Sequence, residues 1–276
     1  MPSTLEVTAS DGARLHVVDQ RAPDEAADVV VWLQGLNAPA AAWAVQLAHF
    51  SRTHRCIAPD PRGVGKSDAP PGPYSTAQMA DDVRRILDAC GVERAHLVGL
   101  SLGGAVAQEV ALAHPSRVRS IALLASFARQ SARSRALMES WRTLYPLAAQ
   151  SQAFRDAWEK QAYAWLFTDA YWRNDAAMRA ALRFAATQPL QPVDGFLGQI
   201  DAALAHDSVA RLPSLRVRTL IVHGALDQLA APAGAEEMAR LIPGAELLVL
   251  PEVGHAVNLE GQRAVNAALR AFWRKL

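Results

Sequence analysis

The sequence predicts an α/β fold, with a mostly parallel eight-stranded sheet, helices on both faces and a block of helices inserted after the sixth strand. Three observations lead there. Short apolar runs alternate with helical stretches from Val29 to Leu124 and again from Arg218 to the carboxyl terminus, the pattern of strands joined by crossover helices. The run Val29–Leu33 is apolar without alternation, as expected of a strand covered on both faces. Between Ser126 and Leu212 the strand signal stops and the chain becomes helical and aromatic.

The elements follow in order. Leu5–Ala9 and Leu15–Gln20 flank Ser10-Asp11-Gly12, a hairpin signal. Val29–Leu33 is the third strand, Ala40–Ser51 reads as helix and His54–Ala58 as the fourth strand. Pro70-Pro71-Gly72-Pro73 is a loop, after which Ser75 or Thr76 caps a helix reaching Cys90. Its apolar residues Met79, Val83, Ile86 and Leu87 share one face, the spacing of an amphipathic helix. Ala95–Val98 is a strand, Ala105–Ala113 a helix and Val118–Leu124 the sixth strand. Beyond residue 212, strands begin at Arg218 and at Glu246, and a last helix turns Val265, Leu269 and Phe272 toward the sheet. The expected division is a core over 1–125 and 213–276, with the insertion over 126–212.

At 276 residues and 51% hydrophobic, the chain can bury a full core as one α/β domain. Lys and Arg number 28 against 27 Asp and Glu, a net charge of +1, so no nucleic-acid partner is expected. Met1–Glu6 lacks a basic stretch followed by an apolar one, and no run of 18 uncharged apolar residues occurs, so neither a leader nor membrane association is expected and the location is read as cytoplasmic. Cys56 and Cys90 read as buried thiols in a reducing compartment rather than as a disulfide. The eight histidines are scattered without metal-ligand spacing, and no metal or other cofactor is expected. The oligomeric expectation is a monomer or homodimer.

The chemistry-bearing residues lie at strand ends. His96-Leu97-Val98-Gly99-Leu100-Ser101-Leu102-Gly103-Gly104 runs from strand through a Gly-x-Ser-x-Gly turn into helix, the context of a nucleophile elbow. The serine must stand on a tight turn, so side chains at positions 99 and 103 would crowd it. The helix that follows aims free N–H groups at negative charge developing beside it. Serine needs a base, and the base needs an orienting group. Asp227 follows the strand of Arg218–Gly224, and His255 follows Glu246–Leu250. In parallel sheets ligands bind at the carboxyl ends of strands, so Ser101, Asp227 and His255 can converge there. Plainer alternatives are a Gly-rich connector at 99–104, a turn aspartate at 227 and a histidine at a helix start at 255.

Two further stretches complete a family pattern: Gln34-Gly35-Leu36 after the third strand with Trp43 downstream, and Pro59-Asp60-Pro61-Arg62-Gly63-Val64-Gly65-Lys66-Ser67-Asp68 after the fourth. With the elbow and Gly254-His255, these make the chain resemble the α/β-hydrolase fold enzymes nearly end to end. The resemblance implies a Ser101–His255–Asp227 triad, an oxyanion hole from the amides of Leu36 and Leu102, and a helical cap over the active site at residues 126–212. One departure is Gln34, where the family usually carries histidine. Serine at the elbow argues against the dehalogenase and epoxide-hydrolase branches, which carry aspartate, and against dienelactone hydrolases, which carry cysteine.

The insertion holds 12 of the 18 aromatic residues. Most are expected to pack its helices together, with some lining an apolar pocket, for which Trp165 and Phe184 are the candidates. Arg129, Arg133, Arg135 and Arg142 read as a solvated face or a carboxylate clamp. His206-Asp207 reads as a helix-cap or interdomain contact or as a second acid/base pair. The expected activity is hydrolysis of a carboxylic ester or lactone of an apolar small molecule, aliphatic or aromatic, as the resemblance to the enol-lactonases implies. The rivals are C–C bond hydrolysis of ring-cleavage products, or a lyase, cofactor-free dioxygenase or ligand receptor on the same fold.

Overall fold

The computed structural model describes residues 3–276; Met1-Pro2, the start of the segment read for a leader, lies outside the described residues. Eight strands form one sheet: β1 (Ser3–Thr8), β2 (Arg14–Gln20), β3 (Val29–Leu33), β4 (Arg55–Pro59), β5 (Ala95–Leu100), β6 (Val118–Leu124), β7 (Arg218–Gly224) and β8 (Glu246–Leu250). Their order is β1-β2-β4-β3-β5-β6-β7-β8. β1 and β2 pair antiparallel, β2 joins β4 antiparallel, and every pairing from β4 to β8 is parallel. The chain crosses from β4 back over β3 to β5, so the carboxyl ends of β3 and β5 open on a topological switch point, where α/β sheets bind ligands.

The unbroken apolar character of the central strands is explained by burial on both faces. Val31, Leu33, Ile57, Leu97, Ile121 and Ile221 belong to one core cluster. Their neighbours Val30, Trp32, Ala58, Val98, Ala122 and Val222 belong to another on the opposite face. The first face is covered by α2 (Thr76–Ala89), α3 (Leu102–Ala113) and α9 (Pro232–Leu241), the second by α1 (Ala44–Phe50) and α11 (Gln262–Trp273), with the short α10 (Val257–Glu260) ahead of α11. α2 begins where its cap predicts, Ser75 Oγ accepting the Gln78 N–H at 3.1 Å, and buries the expected stripe of Met79, Val83, Ile86 and Leu87. Val265, Leu269 and Phe272 of α11 are buried against the sheet as expected.

Several boundaries differ from the sequence expectation: β2, β4 and β5 are displaced or extended by one or two residues, and three other differences have a local cause. β1 is Ser3–Thr8 rather than Leu5–Ala9, because Ala9 closes the hairpin turn, its N–H donating to Ala13 O and its carbonyl accepting from Gly12. The stretch 40–51 divides into a 3-10 turn, Ala40–Trp43, and α1. The helix after the elbow starts at Leu102 instead of Ala105, since the N–H groups of Gly104 and Ala105 both donate to Ser101 O at 2.9 and 3.2 Å.

Five helices lie between β6 and β7: α4 (Ala132–Ala148), α5 (Gln152–Leu166), α6 (Asp169–Arg173), α7 (Asp175–Thr187) and α8 (Val193–Ala205). α4 and α8 join the core directly. Trp141 and Tyr145 of α4, Trp158 of α5 and Phe196 of α8 form an aromatic cluster whose ring centroids lie 3.8 to 5.6 Å apart. Gln199 of α8 accepts the Asn37 N–H at 2.8 Å and donates to Arg62 O at 2.9 Å, tying the insertion to the loops after β3 and β4.

The paired residues at the end of the insertion take the structural reading. His206 Nδ1 lies 3.0 Å from Thr76 Oγ1 and 3.3 Å from the Glu109 carboxylate, which also receives two 2.6 Å bonds from Arg211, while Asp207 pairs with Arg129 through an isolated backbone β-bridge. The four arginines of the basic cluster take separate partners. Arg129 pairs with Glu237, Arg142 with Asp201, Arg135 donates to Leu204 O, and Arg133 reaches Gln228. Cys56 and Cys90 are free thiols, with burial pushing Cys56 up to about 11. Among the described residues no helix is long and apolar enough to cross a membrane.

Candidate active site

Ser101 is the one residue between β5 and α3, with φ 52° and ψ −117°. That conformation is left-handed and strained for a non-glycine residue, costing about 1–3 kcal/mol that the surroundings must hold in place. They do so by hydrogen bonds. The Ser101 N–H donates to Leu124 O at 2.8 Å, and its carbonyl accepts from Ser126 Oγ at 2.8 Å and Gly104 N–H at 2.9 Å. The flanking glycines are required by space. A Cβ on Gly99 would run into the backbone of Gly103 and Gly104, and one on Gly103 into the carbonyls of Leu33 and Gln34.

Asp227, in the turn after β7, is buried and fully bonded. Its Oδ1 accepts the N–H groups of Leu229 and Ala230 at 2.9 and 2.8 Å, and Oδ2 lies 2.8 Å from His255 Nδ1. Burial works against its charge, yet His255 and His223 beside it hold the carboxyl well below the usual carboxylate range. An ionised carboxylate only accepts, so Nδ1 of His255 carries the proton and Nε2 is left as the basic atom. His223 was not anticipated from the sequence. Its Nε2 donates to Ala230 O at 2.8 Å and lies 3.2 Å from Asp227 Oδ2, so the carboxylate is gripped from both sides. Its spacing of four from Asp227 is visible in the sequence, but only the turn geometry turns the ring back onto the carboxylate.

The loop after β3 carries Gln34-Gly35-Leu36. Gln34 is buried, and its Oε1 accepts the Gly35 N–H at 3.0 Å. A Cβ on Gly35 would stand 3.2 Å from Ser101 Cβ, so the loop passes directly beside the serine. Among the described residues neither the Leu36 nor the Leu102 amide has a backbone acceptor outside the regular elements. Leu102 is the first residue of α3, where intrahelical acceptors are lacking.

Ser101 and His255 both open on one cavity of about 740 Å³, together with Gln34, Gly35 and Leu36. One wall is apolar, built from Met138, Trp141, Trp158, Phe196 and Leu229. α7 also contributes Ala177, Ala181 and Phe184 to the lining, with Asn174 and Gln188 at its two ends. Of the two candidate pocket residues, Phe184 is among those lining this cavity and Trp165 is not. The Trp165 ring faces a separate groove and lies under the Arg133 guanidinium, 5.1 Å from the ring centroid. Sequence reading overlooked three charges in the cavity wall: Glu260, and Arg155 matched by Glu159 at 3.0 Å. The i,i+4 spacing of that pair was legible, but the side of α5 that looks inward was not. The hydrogen bonds of the site run from Asp227 to His255, and among the described residues Ser101 Oγ has no protein partner. Such contacts are often loose without substrate.

The sequence model of the alpha/beta hydrolase fold matches residues 28–262. The protein named "Putative carbamate hydrolase RutD" of Azorhizobium caulinodans is 30% identical over 240 residues, covering 86% of this chain and 88% of its own. Among solved structures, the enol-lactonase from Burkholderia xenovorans LB400 superposes with a TM-score of 0.86 at 27% identity, covering 99% of this chain and 100% of its own. A thermophilic esterase from Thermogutta terrifontis superposes at 0.85 with 26% identity, covering 100% and 98%.

Proposed function

As a member of the α/β-hydrolase fold family, the chain is, we propose, a serine hydrolase that cleaves a carboxylic ester or lactone of an apolar small molecule through Ser101, His255 and Asp227. The observation that carries this reading is the convergence of Ser101 and a carboxylate-bound His255 on one largely apolar cavity. The relatives named as an enol-lactonase and an esterase support the substrate class. The relative named as a carbamate hydrolase adds carbamates to the carbonyl groups worth assaying, because the same attack serves them.

In this mechanism Nε2 of His255 takes the Ser101 hydroxyl proton as Oγ attacks the substrate carbonyl. Asp227, held ionised, keeps the imidazole in the required tautomer and stabilises its cationic form. The amides of Leu36 and Leu102 receive the oxyanion, where loss of one donor typically costs roughly 3–4 kcal/mol. The histidine then returns the proton to the departing alkoxide, leaving the acyl group on Ser101. A water molecule repeats the sequence, giving its proton to His255 and its hydroxide to the acyl carbon. Collapse of the second tetrahedral intermediate releases the acid and restores the serine. Gln34 replaces the family's usual histidine and bonds the Gly35 N–H, which supports the Leu36 amide as the one left for substrate. Helices α4–α8 act as the cap, and the aromatic wall of the cavity takes the apolar part of the substrate.

The test combines a fluorophosphonate with p-nitrophenyl esters and carbamates. A mass increment on the peptide holding Ser101, together with ester turnover and an acyl burst, is the expected result. Labelling without turnover of either substrate class would point to a receptor or lyase, and no labelling would remove the serine mechanism.

A further inference from the structure

The segment carrying His255 is bound to the cap through its own backbone. The Gly254 N–H donates to Glu260 Oε2 at 2.7 Å, and the other oxygen of that carboxylate, Oε1, accepts the Thr168 N–H at 2.6 Å. The Ala256 N–H donates to Leu166 O at 3.0 Å. Leu166 is the last residue of α5, and Thr168 caps α6. Both amides flanking the base are thus tied to the α5–α6 junction, that of Ala256 directly and that of Gly254 through the Glu260 carboxylate. The approach is close enough to restrict position 254, where a Cβ would stand 3.2 Å from Leu166 O and 3.3 Å from Thr168 Cγ2. Apolar packing adds to it, since Ala256 and Leu259 share a small cluster with Phe167, Met178, Tyr171 and Trp172 that is separate from the two cores of the sheet.

We propose that Glu260 is a positioning residue that couples the cap to the catalytic base, its carboxylate clasping the His255 loop and the α5–α6 junction at once. The proposal rests on the reading of His255 as the base. Asp227 controls the rotation of the ring, while the clasp controls where the ring's backbone stands. A substrate that displaces α5 and α6 on entering the cavity therefore moves the base, and His255 is in register with Ser101 only when the cap is seated. The carboxylate suits this task because it is acceptor-only and satisfies two N–H donors together. Glutamine has the same shape but one acceptor oxygen, so its NH₂ would be set against one of the two N–H groups.

Two variants of the full chain test the coupling. Glu260→Gln removes half of the clasp. Thr168→Pro removes the cap-side N–H, at a position whose φ of −72° suits proline and whose predecessor is extended. It also removes the Oγ1 that caps α6, so Thr168→Ala, which loses the hydroxyl and keeps the N–H, is its control and should keep the parental rates. The readouts are kcat and KM on p-nitrophenyl acetate, the rate of Ser101 phosphonylation by a fluorophosphonate, and amide hydrogen exchange. Displacing a catalytic group by about 1 Å can cost on the order of 10²-fold. Glu260→Gln should therefore lower kcat and the phosphonylation rate together by about 10- to 100-fold, with KM little changed. Exchange at 166–168 and 254–256 should rise in step. Thr168→Pro should lower the same two rates in the same direction. Parental kcat and phosphonylation in either folded variant, or faster exchange at only one of the two segments, would overturn the coupling. Ser101→Ala serves as the control for the underlying reading: if it keeps full turnover, the serine mechanism itself fails, whatever the clasp variants do.

Discussion

At the scale of single residues, the site depends on a few side chains whose charge state is set by their neighbours. Removing the Ser101 hydroxyl leaves the elbow's backbone bonds to Leu124, Ser126 and Gly104 in place. Ser101→Ala should accordingly fold normally and lose ester turnover by at least ~10³-fold, measured by kcat/KM beside a thermal melt. Near-parental turnover would move the chemistry to His255 alone. The pH profile follows from Asp227, whose carboxyl is held well below the usual carboxylate range by His255 and His223 against the pull of burial. It stays ionised as the solution is acidified, so Asp227 should add no step of its own to the acid limb of kcat/KM, which should have a slope of one. Activity should rise with pH as the imidazole becomes neutral and able to accept the serine proton. A limb with a slope of two, or no limb at all with chemistry rate-limiting, would contradict the assignment.

At the scale of elements, the proposed mechanism draws its chemistry from strand ends and its specificity from helix faces. α7 turns Phe184 into the cavity, while α5 turns Trp165 away from it into the outer groove. An apolar pocket gains roughly 0.8 kcal/mol per buried methylene, so kcat/KM should climb about three- to fourfold per added acyl carbon until the space is filled. Phe184→Ala should change the slope or the end point of that climb, and Trp165→Ala should leave both as in the parent. The measurement is a series from p-nitrophenyl acetate to octanoate. Equal effects of the two truncations would mean that the cavity wall is not what selects the chain.

At the scale of the whole molecule, the insertion is fastened to the core where it ends. Glu109 of α3 holds Arg211 through two 2.6 Å bonds and faces His206 at 3.3 Å. Burial raises its carboxyl, but the Arg211 bonds and His206 outweigh it and bring it down to about 2. A depressed carboxyl contributes stability above its unfolded value, near 4.3, and loses that contribution as the pH falls toward 2. Arg211→Ala should thus be less stable than the parent at neutral pH by on the order of 1 kcal/mol, or about 2–4 °C in Tm. The gap should narrow as the pH drops below about 4. A gap that is constant with pH would show that Arg211 acts through packing alone.

The amino-acid sequence by itself determined the strands, their two-sided burial and the positions of Ser101, Asp227 and His255 beyond strand ends. These are local matters: an unbroken apolar run, a glycine pair that leaves room for a turn, and a polar residue just past a strand. Tertiary structure decided the rest. Of the fifteen residues of α5 only Trp158 is buried, so no apolar stripe in the sequence marks which side of that helix faces the cavity. Trp165 and Arg155 consequently lie on sides that periodicity could not assign. The grip of His223 on Asp227 and of Glu260 on Thr168 joins segments whose approach depends on how a turn or a helix pair packs. A side chain's partners across such a junction are fixed by the close packing of distant elements, and no short-range pattern in the chain encodes them.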